Sequence, residues 1–424
     1  MKNAIGPKVI AQMSNFAPER RQARLNGFLP LICSLGLIGA ASAAMAQEAP
    51  PAAMPPAAPM SPVSTPSMAG PLSANVTPLT LNLGPLGDKI YVSGAVSALA
   101  FQQTPATNFG SDSKSRLDLD NGQVFVQKVD GFFQFFVQAG IYSLPALGTP
   151  YFNSHQTVEA TYGWVPQAFI KLVPADNLSV EAGKLPTLQG DEYTFTYENM
   201  NIFRGLLWNQ ENAVTRGIQV NYTAGPVAFA LSWNDGYYSN RYNSASGSVA
   251  YTIDMANSLS FVGSGNLGRT DYATSAAPLL QNNGSLFNII YTHTDGPWVI
   301  SPYVQYSSVN ADARLGIPHS ASATGVAVLA SYGFNDFLKL AGRIEYIDST
   351  GKGSTPGDST NLLYGPGSSA FSFTITPTFQ YQIFYARAEY SYVNAMSTTA
   401  SFAFGPAGTA RSQNRFALEA GILF

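Results

Sequence analysis

Near the end of the chain, opposite charges recur at even spacing: Arg343 with Glu345, Arg387 with Glu389, and Arg415 with Glu419, with Lys339 ahead of the first pair. Even spacing puts both members of a pair on one face of an extended strand. Such a face can line an aqueous space and bias which ions cross it. Its charges can also pair with one another and stiffen a wall. Neither role makes or breaks a bond, so no catalytic residue is expected among them. A second group, Asp191, Glu192, Glu198, Arg204 and Glu211, lies among aromatic and apolar residues in one connection of the chain. A loop of that length and character can fold into a cavity, narrow it and set its local charge, or lie as a lid across the mouth.

Residues suited to covalent chemistry are sparse. His155 and His319 fall in long polar connections, whereas His293 sits beside a short turn and is expected at the opposite end of the molecule. No convergent metal site or Ser-His-Asp arrangement is indicated, and no cofactor is expected. A hydrolase would have to recruit His155 with a serine and an acid from neighbouring loops. The run Gly263-Ser264-Gly265-Asn266-Leu267-Gly268 fits G-x-G-x-x-G, but it closes a strand and leads into Arg269-Thr270-Asp271, with no helix to receive a pyrophosphate. It reads as strand geometry. Asp118-Leu119-Asp120-Asn121-Gly122 is rich in oxygen ligands but lacks the rest of an EF-hand loop, and reads as a turn entering the second strand.

The elements that must position these residues show in the alternation. From 88 to 424 the chain runs in stretches of about ten residues with a period of two, separated by turn residues, and no long stretch has a 3.6-residue period. Short turns, such as Val129-Asp130-Gly131 and Thr294-Asp295-Gly296-Pro297, alternate with long polar connections near 103–118, 143–163, 185–213, 235–244, 268–283, 310–321, 349–369 and 395–412. Joined this way, about 16 strands (14–18) run from Lys89 to Phe424. An even strand number with short periplasmic turns and long extracellular loops describes an all-β, transmembrane antiparallel β-barrel. A sandwich or propeller gives no reason for such one-sided loops. In 338–346, Leu338, Leu340, Ile344 and Tyr346 oppose Lys339, Arg343 and Glu345. An arginine facing lipid costs about 2–4 kcal/mol near the midplane, so the charges are expected to line the pore. Tyr346, Tyr390, Tyr392 and Trp298 are candidates for the interfacial aromatic girdles.

Composition agrees with a membrane wall. Charged residues make up 11% of the 424, against about 25% in ordinary soluble domains, and no run after the N-terminal region reaches the length of a membrane helix. Arg20, Arg21 and Arg24 precede an apolar stretch over 27–43 that ends in Ala44-Met45-Ala46. This marks 1–46 as a signal peptide. It holds Cys33, the only cysteine, so no disulfide is expected in the mature chain. Residues 47–87, dense in Pro and Ala, read as a flexible periplasmic arm, and 88–424 as the barrel. The formal charge of −3 gives no basic footprint for nucleic acid.

The stretch VEAGKLPTLQGDEYTFTYENMNIFRGLLWNQENAVTRGIQVNY, 180–222, is similar to the signature region of the "putative β-barrel porin" family of Gram-negative outer membranes. The resemblance implies a porin-like channel and carries over no catalytic residues; together with the charged, amphipathic 185–213 loop as constriction, the expectation is passive diffusion of small polar solutes or ions. The resemblance leaves open a plugged structural or adhesive barrel, and an outer-membrane hydrolase. Expected partners are outer-membrane lipid and the assembly machinery, and a homotrimer through the lipid-facing walls fits porins of this size. The final stretch, RFALEAGILF, sets Phe416, Leu418, Ala420, Ile422 and Phe424 on the lipid face, with Arg415 and Glu419 on the other. As closing strand it is expected to pair with the first strand near Ile90. A terminal Phe424 resembles the signal read by the outer-membrane assembly machinery.

Overall fold

The computed structural model describes residues 66–84, 89–108, 112–274, 277–351 and 364–424. The expected signal peptide over 1–46 and the arm as far as 65 lie outside the described residues. A short strand, β1 (Leu79–Asn82), precedes sixteen longer ones that form a closed antiparallel barrel. They are β2 (Lys89–Thr104), β3 (Ser115–Lys128), β4 (Phe133–Tyr142), β5 (Gln167–Ala175), β6 (Leu178–Pro186), β7 (Val214–Ala224), β8 (Val227–Asn234) and β9 (Ser244–Thr252). The second half is β10 (Asn257–Asn266), β11 (Gly284–Asp295), β12 (Trp298–Val309), β13 (Ala321–Gly333), β14 (Leu338–Ser349), β15 (Ser369–Tyr381), β16 (Phe384–Ser397) and β17 (Ser412–Leu423). The short and long connections fall where the alternation places them. The barrel thus has its long loops at the extracellular end and its short turns at the periplasmic end.

Closure is made by β17 against β2, from Asn414 opposite Thr104 to Leu423 opposite Ala95. Phe424 adds a reciprocal pair of backbone bonds to Gly94, at 3.0 and 2.9 Å. A Cβ at position 94 would meet the Phe424 ring at 2.5 Å, so only glycine lets the terminal aromatic lie there. The junction starts further along β2 than the expected Ile90. Below Gly94, β2 outruns β17, and β1 takes the vacant edge, with Leu81 opposite Ile90. A sheet edge left bare would offer unpaired backbone groups, and β1 covers it.

The alternation sorts the two faces. Ile218, Leu231, Phe261, Ile344 and Phe416 are exposed outside, with Trp298, Tyr346 and Tyr390. The largest buried apolar cluster lies inside the ring. There Ile202, Phe203, Leu206 and Leu207, all from the third long connection, pack on wall residues such as Leu99, Tyr303, Ala327 and Ala341. Gly263 to Asn266 end β10, as strand geometry. Asp118 to Gly122 do not form a turn but lie within continuous β3, because a register irregularity near Ser97 and Leu99 absorbs the local change.

Candidate functional site

Residues 187–213, between β6 and β7, fold into the barrel. A backbone buried there needs a partner for its N–H and C=O groups. The charged wall residues supply many of them. Glu389 accepts from the amides of Ile202 (2.5 Å) and Phe203 (3.2 Å), and Thr376 donates to it at 3.0 Å. Glu345 accepts from Leu206 (3.0 Å) and Leu207 (3.3 Å), where a short 3-10 turn, Leu207–Gln210, begins. Each carboxylate therefore holds two consecutive N–H groups. The arginines take carbonyls: Arg387 donates to Asn199 O (3.0 Å) and Thr196 O (2.9 Å), and Arg343 to Phe203 O (2.9 Å).

The same groups pair with one another. Arg343 bridges Glu345 of its own strand (3.1 Å) and Glu192 of the loop (2.5 Å). Arg387 pairs with Glu419, whose other oxygen receives Thr196 Oγ1 (2.9 Å) and Tyr385 OH (3.1 Å). Arg415 donates to Gln103 Oε1 at 2.6 Å and stacks 4.2 Å from the Phe203 ring. Arg204 lies 4.3 Å from the Trp208 ring and donates to Thr194 O. Glu192 also accepts from Gly205 N at 2.7 Å. On the loop, burial drives four acids upward: Asp191 to about 6, Glu192 to about 7, Glu198 to about 8, and Glu211 well above the usual carboxylate range. Glu198 accepts from Phe195 N at 2.9 Å. Glu211 finds no hydrogen-bond donor among the described residues.

From the periplasmic end a second segment meets the loop. Residues 66–73, expected to belong to a flexible arm, are packed here because their backbone finds fixed partners. Ala69 N donates to Glu198 O at 2.8 Å. Lys339 Nζ donates to Pro71 O at 2.7 Å, Gln380 exchanges bonds with both backbone groups of Ser73, and Leu72 is buried. Between segment and loop, Ala69, Asp191, Tyr193, Asn199 and Ser301 line a cavity of about 140 Å³.

The sequence from 89 to 424 matches the protein family described as "Putative beta-barrel porin-2, OmpL-like". The chain belongs to this family. No curated protein matches it. The barrel resembles that of outer-membrane-expressed OmpT of Vibrio cholerae, with 11% identity, a TM-score of 0.53, and coverage of 82% of this chain and 100% of that one. It also resembles Salmonella typhi OmpF in complex with Daunomycin, with 12% identity, a TM-score of 0.52, and coverage of 82% and 100%. At these identities the likeness is one of fold. The protein is a porin-like barrel of the Gram-negative outer membrane.

Within this porin-like barrel, Arg343, Glu345, Arg387, Glu389, Arg415 and Glu419 face inward as expected. They do not line open space, because the loop covers them and each is no more than 2% exposed. Lys339 stands apart, half-buried under the 66–73 segment. Sequence reasoning placed Asp120 only in a turn; it accepts from Ser97 (2.8 Å) deep in the same network, 3.2 Å from the Thr196 hydroxyl that donates to Glu419. Sequence reasoning missed Gln103 and Tyr385. For all three, inward parity along β2, β3 and β16 was the available signal. His155 lies on the short helix Ser154–Ala160, opposite Glu159 at 3.7 Å, with both side chains about two-thirds exposed at 65% and 66%.

Proposed function

We propose that this barrel is a narrow passive channel for small polar solutes or ions, with the 187–213 loop as its constriction. The observation that carries the reading is the loop itself, held inside the lumen by carboxylates and arginines from β14, β16 and β17. A loop that merely capped the mouth would not need wall charges at strand depth to pair its amides. The wall charges act through the loop: they fix its position, and its Asp191, Glu192 and Arg204 side chains set the local field, while burial holds Glu198 and Glu211 towards their neutral forms. Asn221, Ser248, Ser260 and Thr292, small polar residues on the inner faces of β7, β9, β10 and β11, remain partly exposed. They give a solute a neutral, hydrogen-bonding surface beside the loop. The reading involves no reaction. Phe424 serves assembly, and a homotrimer through the outer walls is the proposed state.

A second reading, a plugged structural barrel, is favoured by the near-complete burial of the six wall charges. Swelling of liposomes holding the refolded protein separates the two. The channel reading expects entry of small sugars, with rates falling steeply as solute size grows. Folded protein that admits none of them is a plugged barrel.

A further inference from the structure

Outside the barrel, Lys184 of β6 and Arg216 of β7 are direct cross-strand partners. Both point outward, in step with Ile218 and Val220, which are exposed on the lipid-facing side. Like charges placed opposite one another in an antiparallel pair repel. Cations on the lipid face are tolerated only near the interfaces. This pair sits where β6 and β7 meet the 187–213 loop, at the extracellular rim. Asp235 Oδ2 accepts from Arg216 Nε at 2.7 Å, and Arg216 also donates to Tyr238 O at 3.1 Å. Lys184 donates to the carbonyls of Tyr162 (3.1 Å) and Val165 (2.8 Å). The two cations lie 5.6 and 3.9 Å from the ring of Tyr238. Among these contacts one carboxylate balances two cations.

Beside the pair a groove of about 630 Å³ opens on the outer wall, lined by Ala168, Ile218, Trp233 and Tyr242. Gly183 and Gly217, opposite each other in register, contribute backbone to its lining. The Trp233 and Tyr242 rings stand 6.1 Å apart, both exposed. The place therefore joins excess positive charge, interfacial aromatic rings and an apolar trough, on the face that meets the outer leaflet.

We propose that this groove binds a phosphorylated glycolipid of the outer leaflet, its phosphate between Lys184 and Arg216 and an acyl chain along the trough. Charge-assisted bonds from both cations to phosphate oxygens relieve their mutual repulsion. Amphipathic rings at headgroup depth suit the boundary between sugar and acyl chain. The site is independent of whether the lumen conducts.

The test uses the refolded chain in detergent with diphosphoryl lipid A, the retained lipid being read by native mass spectrometry. Wild type is expected to keep the lipid, and K184Q/R216Q to keep roughly ten-fold less or lower, with heat-shifted gel mobility confirming the fold. The charge-conserving K184R is expected to keep it. The unaltered chain gives a check that needs no variant: fully dephosphorylated lipid A should be lost, and free inorganic phosphate should not displace the bound lipid. Equal retention by K184Q/R216Q, or equal retention of the dephosphorylated lipid, would overturn the proposal. So would a change in oligomeric state of the variant with lipid retention unmoved, which makes the groove a contact between copies.

Discussion

Glu389 and Glu345 each hold two adjacent amides of the loop, so truncating either leaves buried donors without acceptors. Each stranded group costs about 1–3 kcal/mol. E389A and E345A are therefore expected to make 187–213 more susceptible to limited proteolysis while the heat-shifted gel mobility of the barrel persists. Gly205 is a second sensitive point, since a Cβ there would meet Glu345 Oε1 at 1.9 Å. G205A should loosen the same loop, and cleavage no faster than wild type would contradict the clasp. The sequence made half of this legible. A period of two placed Arg343 with Glu345, and Arg387 with Glu389, on one inner face. Their partners were hidden because Glu345 and Leu206 are 139 residues apart, with no local spacing to join them. Charges expected to meet passing ions instead hold backbone amides and carbonyls, because a loop packed in the lumen has polar backbone to satisfy.

At the scale of the element, the 187–213 loop carries acids that its own burial keeps protonated. Glu198, raised to about 8, is neutral in the docked loop at a pH where a free carboxylate is ionised. A raised carboxylate favours the docked state most below its ordinary range, near 4.5, and this preference is lost as pH rises towards 8. Asp191 and Glu211 act in the same direction. Protease access to the loop should therefore increase between pH 5 and pH 9, and E198Q should flatten that rise. A fall over the same range would reverse the sign and contradict the burial argument. The segment 66–73 bears on the loop from below. Deleting residues 47–74 is expected to raise solute flux through the channel, measured by liposome swelling, and unchanged flux would remove the segment from the path. The long connection itself was legible from turn chemistry. The order of 66–73 was not, because a Pro-rich run has no periodicity, and its fixed partners, Lys339 and Gln380, lie more than 260 residues away.

At the scale of the whole molecule, an all-β chain with few charges closes a sheet on itself by joining β17 to β2. It fills the ring with one of its own loops instead of a conventional core. The barrel was readable from alternating turns because lipid outside and polar groups inside impose the period on every strand. The filling was not, since that depends on which loop turns inward. The central claim is that this loop sets the conductance, and single-channel recording in planar bilayers tests it most directly. Refolded wild type should give small, discrete steps, and a variant with 191–210 replaced by a short Gly/Ser linker should give steps several-fold larger, as expected when a constriction is removed. Steps of the same size in both, or none from either folded protein, would contradict the account.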